Sequence, residues 1–196
     1  MSKRSKLPEK AARMPDLQEA AKQIAIEEYA REVRRIRGES ARSHRFTALL
    51  NALFGVQPGF IEQYVNGIEK YLKVEGKDRM LRGRADQFSG NLIIEFERDI
   101  SSQGRLAEAE EQLRRYTACA WSNEPPDHRT PFLCLATDGL RFRAYAPLAR
   151  GPEAAAIKPD DVELRLVEEL NVAKVQWSEF FYFLDRYLQR QEVLAP

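Results

Sequence analysis

The sequence predicts an α/β (α+β) chain, with a central mixed β-sheet of about five strands flanked by helices. Three observations lead there. Apolar residues recur at helical spacing along 17–37, 40–54 and 104–121. Short apolar runs lie among these stretches, at 68–74, 79–88, 91–100, 131–137 and 140–147. Asp138-Gly139 joins the last two, a strong hairpin signal.

Each element has its own justification. The first helix, LQEAAKQIAIEEYAREVRRIR from Leu17 to Arg37, sets Ile24, Tyr29 and Val33 near one stripe and stops at Gly38. The second runs from Ser40 to Phe54 with Phe46, Leu49, Leu50 and Leu53 inward. Gly55, Pro58 and Gly59 break the chain, and a short helix over 59–66 follows. IEKYLKV, RMLRGRADQF and NLIIEFERDI then read as three strands. The clearest helix, GRLAEAEEQLRRYTACAW, is ended by Asn123-Glu124-Pro125-Pro126. PFLCLAT and LRFRAYAP form the hairpin, and 148–161 is a loop. Two helices, 160–171 and 177–190, close the chain. The last carries Trp177, Phe180, Phe181, Phe183, Leu184, Tyr187 and Leu188, as core or as a seam for a partner domain. The organisation is a mobile basic segment 1–16, a core 17–150, and a closing segment 151–196 packed on the core or on a partner domain.

The composition bounds the function. At 196 residues, 43% apolar and 31% charged, the chain is long enough for a real core. No window approaches the roughly 20 apolar residues of a membrane span, so no membrane partner is expected. MSKRSKLPEK leads into no apolar stretch, which argues against a signal peptide and for the cytoplasm. Cys119 and Cys134 are too few for a zinc site and read as ordinary intracellular thiols. His44 and His128 lack the spacing of a metal site or triad, and Ser89 sits in a turn with no base pattern.

The net charge of +1 is uninformative, but its distribution is not. Residues 31–46 carry six arginines against two glutamates, and 70–84 carry six Lys/Arg against Glu75 and Asp78. These clusters, with Arg42, Arg45, Arg82 and Arg84 in them, read either as solvated faces or as a phosphate-binding surface.

The stretch GRADQFSGNLIIEFERDI poses the sharpest question. With Ser89-Gly90 as a two-residue loop, Asp86 lies opposite Ile93, Arg84 opposite Glu95, and Arg82 opposite Glu97. Alternation then puts Arg84, Asp86, Glu95 and Glu97 on one face, with Leu92, Ile94 and Phe96 on the other. Two carboxylates about 4 Å apart repel by roughly 4 kcal/mol at an effective dielectric near 20. Either a hard divalent cation offsets that cost, or Arg84 and Arg82 neutralise Glu95 and Glu97 in a salt-bridged hairpin.

Asp86, eight intervening residues and then Glu95-Phe96-Glu97 resemble the PD-(D/E)XK nuclease superfamily. Gln112-Leu113-Arg114-Arg115-Tyr116 on the following helix is similar to the Q-x-x-x-Y motif of its RecB-like branch. The wording over 39–147 also resembles nuclease domains at the N-termini of restriction-modification and phage-defence proteins. The resemblance implies a restriction-endonuclease-like fold and a Mg²⁺-dependent DNA endonuclease, with Mn²⁺ as substitute. It implies that Asp86, Glu95 and the backbone carbonyl of Phe96 hold the cation. Glu39 is the candidate further ligand, or else a helix-start glutamate favoured by the dipole. It assigns catalysis to Asp86, Glu95, Glu97, Gln112 and Tyr116, and the basic clusters offer Arg42, Arg45, Arg82 and Arg84 for DNA contact.

The chain departs from the motif where Glu97 replaces the lysine. Arg84 is the expected replacement cation, since Arg98 points to the opposite face. The implied partners are DNA, a second copy, or an associated methyltransferase or ATPase motor. The alternative is a catalytically inactive nuclease-fold module for DNA binding or interaction.

Overall fold

In a computed structural model, which describes residues 17–55, 71–75, 80–84, 87–89, 91–151 and 157–189, two helices come first. They are α1 (Leu17–Val33) and α2 (Glu39–Phe54). On α1 the inward stripe is Ile26, Tyr29 and Val33. The expected Ile24 is 56% exposed, because two helical steps turn it about 200° from Ile26. On α2 the expected Phe46, Leu49, Leu50 and Leu53 are all buried. The short helix expected over 59–66 lies outside the described residues.

Strands β1 (Tyr71–Glu75) and β2 (Met80–Arg84) form a separate antiparallel ribbon. The expected strand 79–88 is therefore two pieces. Its first half pairs Arg84 with Tyr71 and Arg82 with Lys73, and not with Glu95 and Glu97. Its second half is β3 (Gln87–Ser89), which pairs antiparallel with β4 (Leu92–Phe96). There Phe88 meets Ile93 and Ser89 meets Leu92, a register two residues from the one expected. The backbone register expected for the hairpin, Arg84 opposite Glu95 and Arg82 opposite Glu97, is therefore not the one found.

The chain continues through α3 (Gln103–Trp121), β5 (Leu133–Thr137), β6 (Arg141–Ala149), β7 (Val162–Asn171) and α4 (Trp177–Leu184), ending in a π-helical turn, Asp185–Gln189. The body of the mixed sheet is four strands in the order β4-β5-β6-β7, with the short β3 along β4. β4 and β5 run parallel across the α3 connection, and the other neighbours are antiparallel. Helices flank both faces, as expected. Leu92, Ile94 and Phe96 pack with α1, α2 and α4 on one side, and Ile93 packs with α3 on the other. A strand covered on both faces is buried along its whole length, and β4 is.

β7 overturns the helix expected over 160–171. Its apolar residues mimic a helical period because the ladder slips. Glu168 pairs with Ala144 but Leu166 with Tyr145, so Val167 is an extra, bulged residue. Val162 and Leu164 pack on the α3 side, whereas Val167 and Leu170 pack on the other. A break in alternation and a helical stripe look alike in sequence, and pairing with β6 decides between them.

Most of the apolar closing segment is core. Phe180, Phe183, Leu184, Tyr187 and Leu188 are buried, and Phe142 meets Phe180 at 5.1 Å and Phe46 at 5.3 Å. Tyr182 is the outward exception, 60% exposed. No helix among the described residues is long and apolar enough to cross a membrane.

The β5–β6 turn docks the sheet on α1. Gly139 has φ +82°, and its carbonyl accepts the Tyr29 hydroxyl at 2.6 Å. A Cβ there would stand 2.8 Å from Val33 Cγ2. Gly151 has φ +79° but open space around it. Gly151→Ala should therefore cost only the left-handed conformation, about 1–2 kcal/mol. Gly139→Ala should add about 1–3 kcal/mol of steric displacement. Urea unfolding of the two variants measures the difference, and equal costs would show that Val33 moves aside freely.

Candidate functional site

Strands β4 and β5 run in the same sense and end together at Phe96 and Thr137, where Glu97 N–H donates to the Thr137 carbonyl at 2.9 Å. Ligands of open α/β sheets bind outside such carboxyl ends. Alternation from Ile93 turns Glu95 and Glu97 toward the α3 side, as expected from the sequence. Both are buried, at 4% and 6% exposure. Across the sheet Glu95 aligns with Ala136, Arg143 and Glu169. Arg143 is already engaged, donating to Glu169 at 2.8 and 3.0 Å and lying 3.9 Å from Glu110.

Glu97 carries the clearest electrostatic signature. Burial raises its carboxyl above the usual range, and the charges of Glu39 and Glu108 push the same way. Arg105, 4.0 Å away, and the Arg98 backbone N–H oppose them. Glu39, the exposed first residue of α2, is thus close enough for its charge to act on the end of β4. Arg105 also holds Glu108 at 2.7 Å. Sequence reasoning missed both Arg105 and Glu108. Their only signal is an i, i+3 pair in the first turns of the helix that follows the acidic strand.

Gln112 and Tyr116 lie one turn apart on α3, and the tyrosine hydroxyl donates to Gln112 Oε1 at 2.9 Å. Tyr116 is buried and Gln112 half-buried, so the pair sits at the edge of the packed face, as the spacing predicts. His44 and His128 are exposed. Cys119 and Cys134 are buried free thiols, and burial pushes Cys134 up to about 12.

The arginines fare differently. Arg42 Nε donates to the Ile36 carbonyl, and its Nη1 donates to the carbonyls of Arg98 and Asp138, each at 2.8 Å. These bonds make Arg42 a clamp on three backbone segments. Arg45 pairs with Glu32 across the α1–α2 contact. The side chains of Arg82 and Arg84, and the whole of Asp86, lie outside the described residues. Among the described residues, Arg105 is the cation beside Glu97.

Among the described residues no three carboxylate, imidazole or thiol groups are gathered to hold a metal ion. No family model matches this chain. No curated protein and no solved structure matches it either.

The raised carboxyl of Glu97 sets a pH dependence. Folding strengthens its hold on the proton, so ionisation costs stability as pH rises through the usual carboxylate range to the higher folded value. Glu97→Gln removes that cost. The variant should melt above the native protein at neutral pH, with the gain vanishing below about pH 4, where both forms are neutral. A lower melting temperature at neutral pH would mean that Arg105 and the Arg98 N–H outweigh burial.

Proposed function

We infer that this chain is a Mg²⁺-dependent DNA endonuclease domain of restriction or phage-defence type, on a restriction-endonuclease-like fold. One observation carries the reading. Two buried glutamates, Glu95 and Glu97, stand on one face at the end of an apolar strand, with the charge of Glu39 reaching Glu97. A buried carboxyl whose proton is held more tightly by burial and by a neighbouring acid is the kind of group found at sites of chemistry. The Gln112–Tyr116 pair on the next helix supports it.

The donors suit a hard divalent cation, since they are carboxylates and a peptide carbonyl. Asp86, Glu95, Glu39 and the Phe96 carbonyl are assigned to hold it. Asp86 precedes Gln87 in sequence, and Glu95 follows Ile94, the residue Gln87 pairs with. When bound, the cation supplies Lewis-acid activation of a water and charge neutralisation at the phosphate. Glu97 takes the proton, a role served by a carboxyl held above its usual range. Arg105 orients Glu97 and partly replaces the positive charge that the motif's lysine would bring. Gln112 and Tyr116 position the DNA phosphate or a base, and Arg82 and Arg84 contribute to its binding. A second copy, a methyltransferase or an ATPase motor is the expected companion.

A second reading is favoured by Glu97, which stands where the motif carries lysine. It is a catalytically inactive nuclease-fold module that binds DNA or another protein. Plasmid nicking decides between them. The nuclease reading expects nicks with Mg²⁺ or Mn²⁺, none with EDTA, and a loss of at least about a hundredfold in Asp86→Asn and Glu95→Gln with DNA binding kept. DNA binding without cleavage in any buffer would select the inactive module.

A further inference from the structure

A second feature lies at the same strand ends but on the other side. Glu97 turns toward α3, and Arg98, next in the chain, opens into a cleft of about 580 Å³. Its walls are the segment between α1 and α2, the turn after β4 and the β5–β6 turn. Among the described residues, Arg37, Arg42, Arg98 and Arg141 line it with Asp99 and Asp138 as the acids, an excess of two positive charges.

The two acids are already committed. Asp138, 2% exposed, accepts the backbone N–H groups of Ile100, Leu140 and Arg141, and one Nη of Arg141 at 3.0 Å. Asp99 accepts the N–H and hydroxyl of Ser101 and the other contact from Arg141, and these hold its carboxyl below the usual range. Arg37 and Arg98 make no ion pair or side-chain hydrogen bond among the described residues.

The frame is organised in advance. The Arg42 guanidinium holds the carbonyl of Ile36, next to Arg37, together with those of Arg98 and Asp138. One clamped group therefore sets the backbone on which the uncommitted arginines stand. Planar guanidinium forks match phosphate oxygens, and a preformed concave site of this volume is of the size that holds a nucleotide-sized ligand.

We propose that this cleft binds a doubly charged phosphate group through Arg37 and Arg98, with Arg141 as the inner wall. The phosphate belongs to a free nucleotide or to the end of a nucleic-acid strand. The site needs neither a cation nor hydrolysis, so it stands apart from the nuclease reading.

Calorimetric titration in EDTA tests it with four probes: adenosine 5′-monophosphate, adenosine, and one oligodeoxynucleotide with and without a 5′-phosphate. The proposal expects the phosphate to tighten binding at least about tenfold in one pair. A gain in the mononucleotide pair assigns the free nucleotide, and a gain in the oligonucleotide pair alone assigns the strand end. Arg37→Ala and Arg98→Ala should each remove that gain, and Arg35→Ala, exposed and outside the cleft, should keep it. Both key arginines are exposed, and circular dichroism verifies that the variants fold. No preference for phosphate in either pair, or a preference unchanged in Arg37→Ala and Arg98→Ala, overturns the proposal.

Discussion

One guanidinium holds the carboxyl ends of β4 and β5 and the approach to α2 together. Arg42 joins the carbonyls of Ile36, Arg98 and Asp138, which belong to three segments far apart in sequence. Bonds from a charged donor contribute about 1.5–3 kcal/mol each where they are not competed away by water. Their geometry matters as much as their strength. A lysine would bring the charge without the planar fork that reaches carbonyls in different directions. Tyr29 reinforces the clamp by holding the Gly139 carbonyl from α1, and Thr137 and Asp138 stitch the same turn from within. The end of β4, the end of β5 and the entry to α2 are thereby set relative to one another.

Around that clamp, strand alternation sorts charge by side. Glu95 and Glu97 fall toward α3, where Arg105 and Glu108 act on Glu97, and Arg98 falls toward the α1–α2 segment. Consecutive residues thus serve opposite faces of one sheet edge. Buried acids and exposed arginines stand within a few residues of one another at these strand ends.

How much of this could be read beforehand depended on how local the determining interaction was. α2, α3 and the β5–β6 hairpin were legible because a helical stripe or an Asp-Gly turn decides them within a few residues. β7 was not, since the bulged Val167 changes faces halfway along and leaves a spacing like that of a helix. The register of β3 on β4 was missed by two because Ser89, read as part of the loop, is itself paired. The face carrying Glu95 and Glu97 followed from period two alone. The approach of Glu39 was suggested only by family resemblance, and Arg105 not at all, because both come from helices that meet the strand in space. Arg42 carried no signature of its role, for a hydrogen bond to a backbone carbonyl asks nothing of its partner's side chain.

The parallel pairing of β4 with β5 has a consequence during synthesis. β4 leaves the ribosome before its neighbour exists, and all of α3 must follow before Leu133–Thr137 can close the ladder. Through that interval Leu-Ile-Ile-Glu-Phe is an apolar strand with an open edge, the kind of segment that templates aggregation. Glu95 within it and Glu97 just beyond it set like charges against each other wherever two copies of this strand align in register.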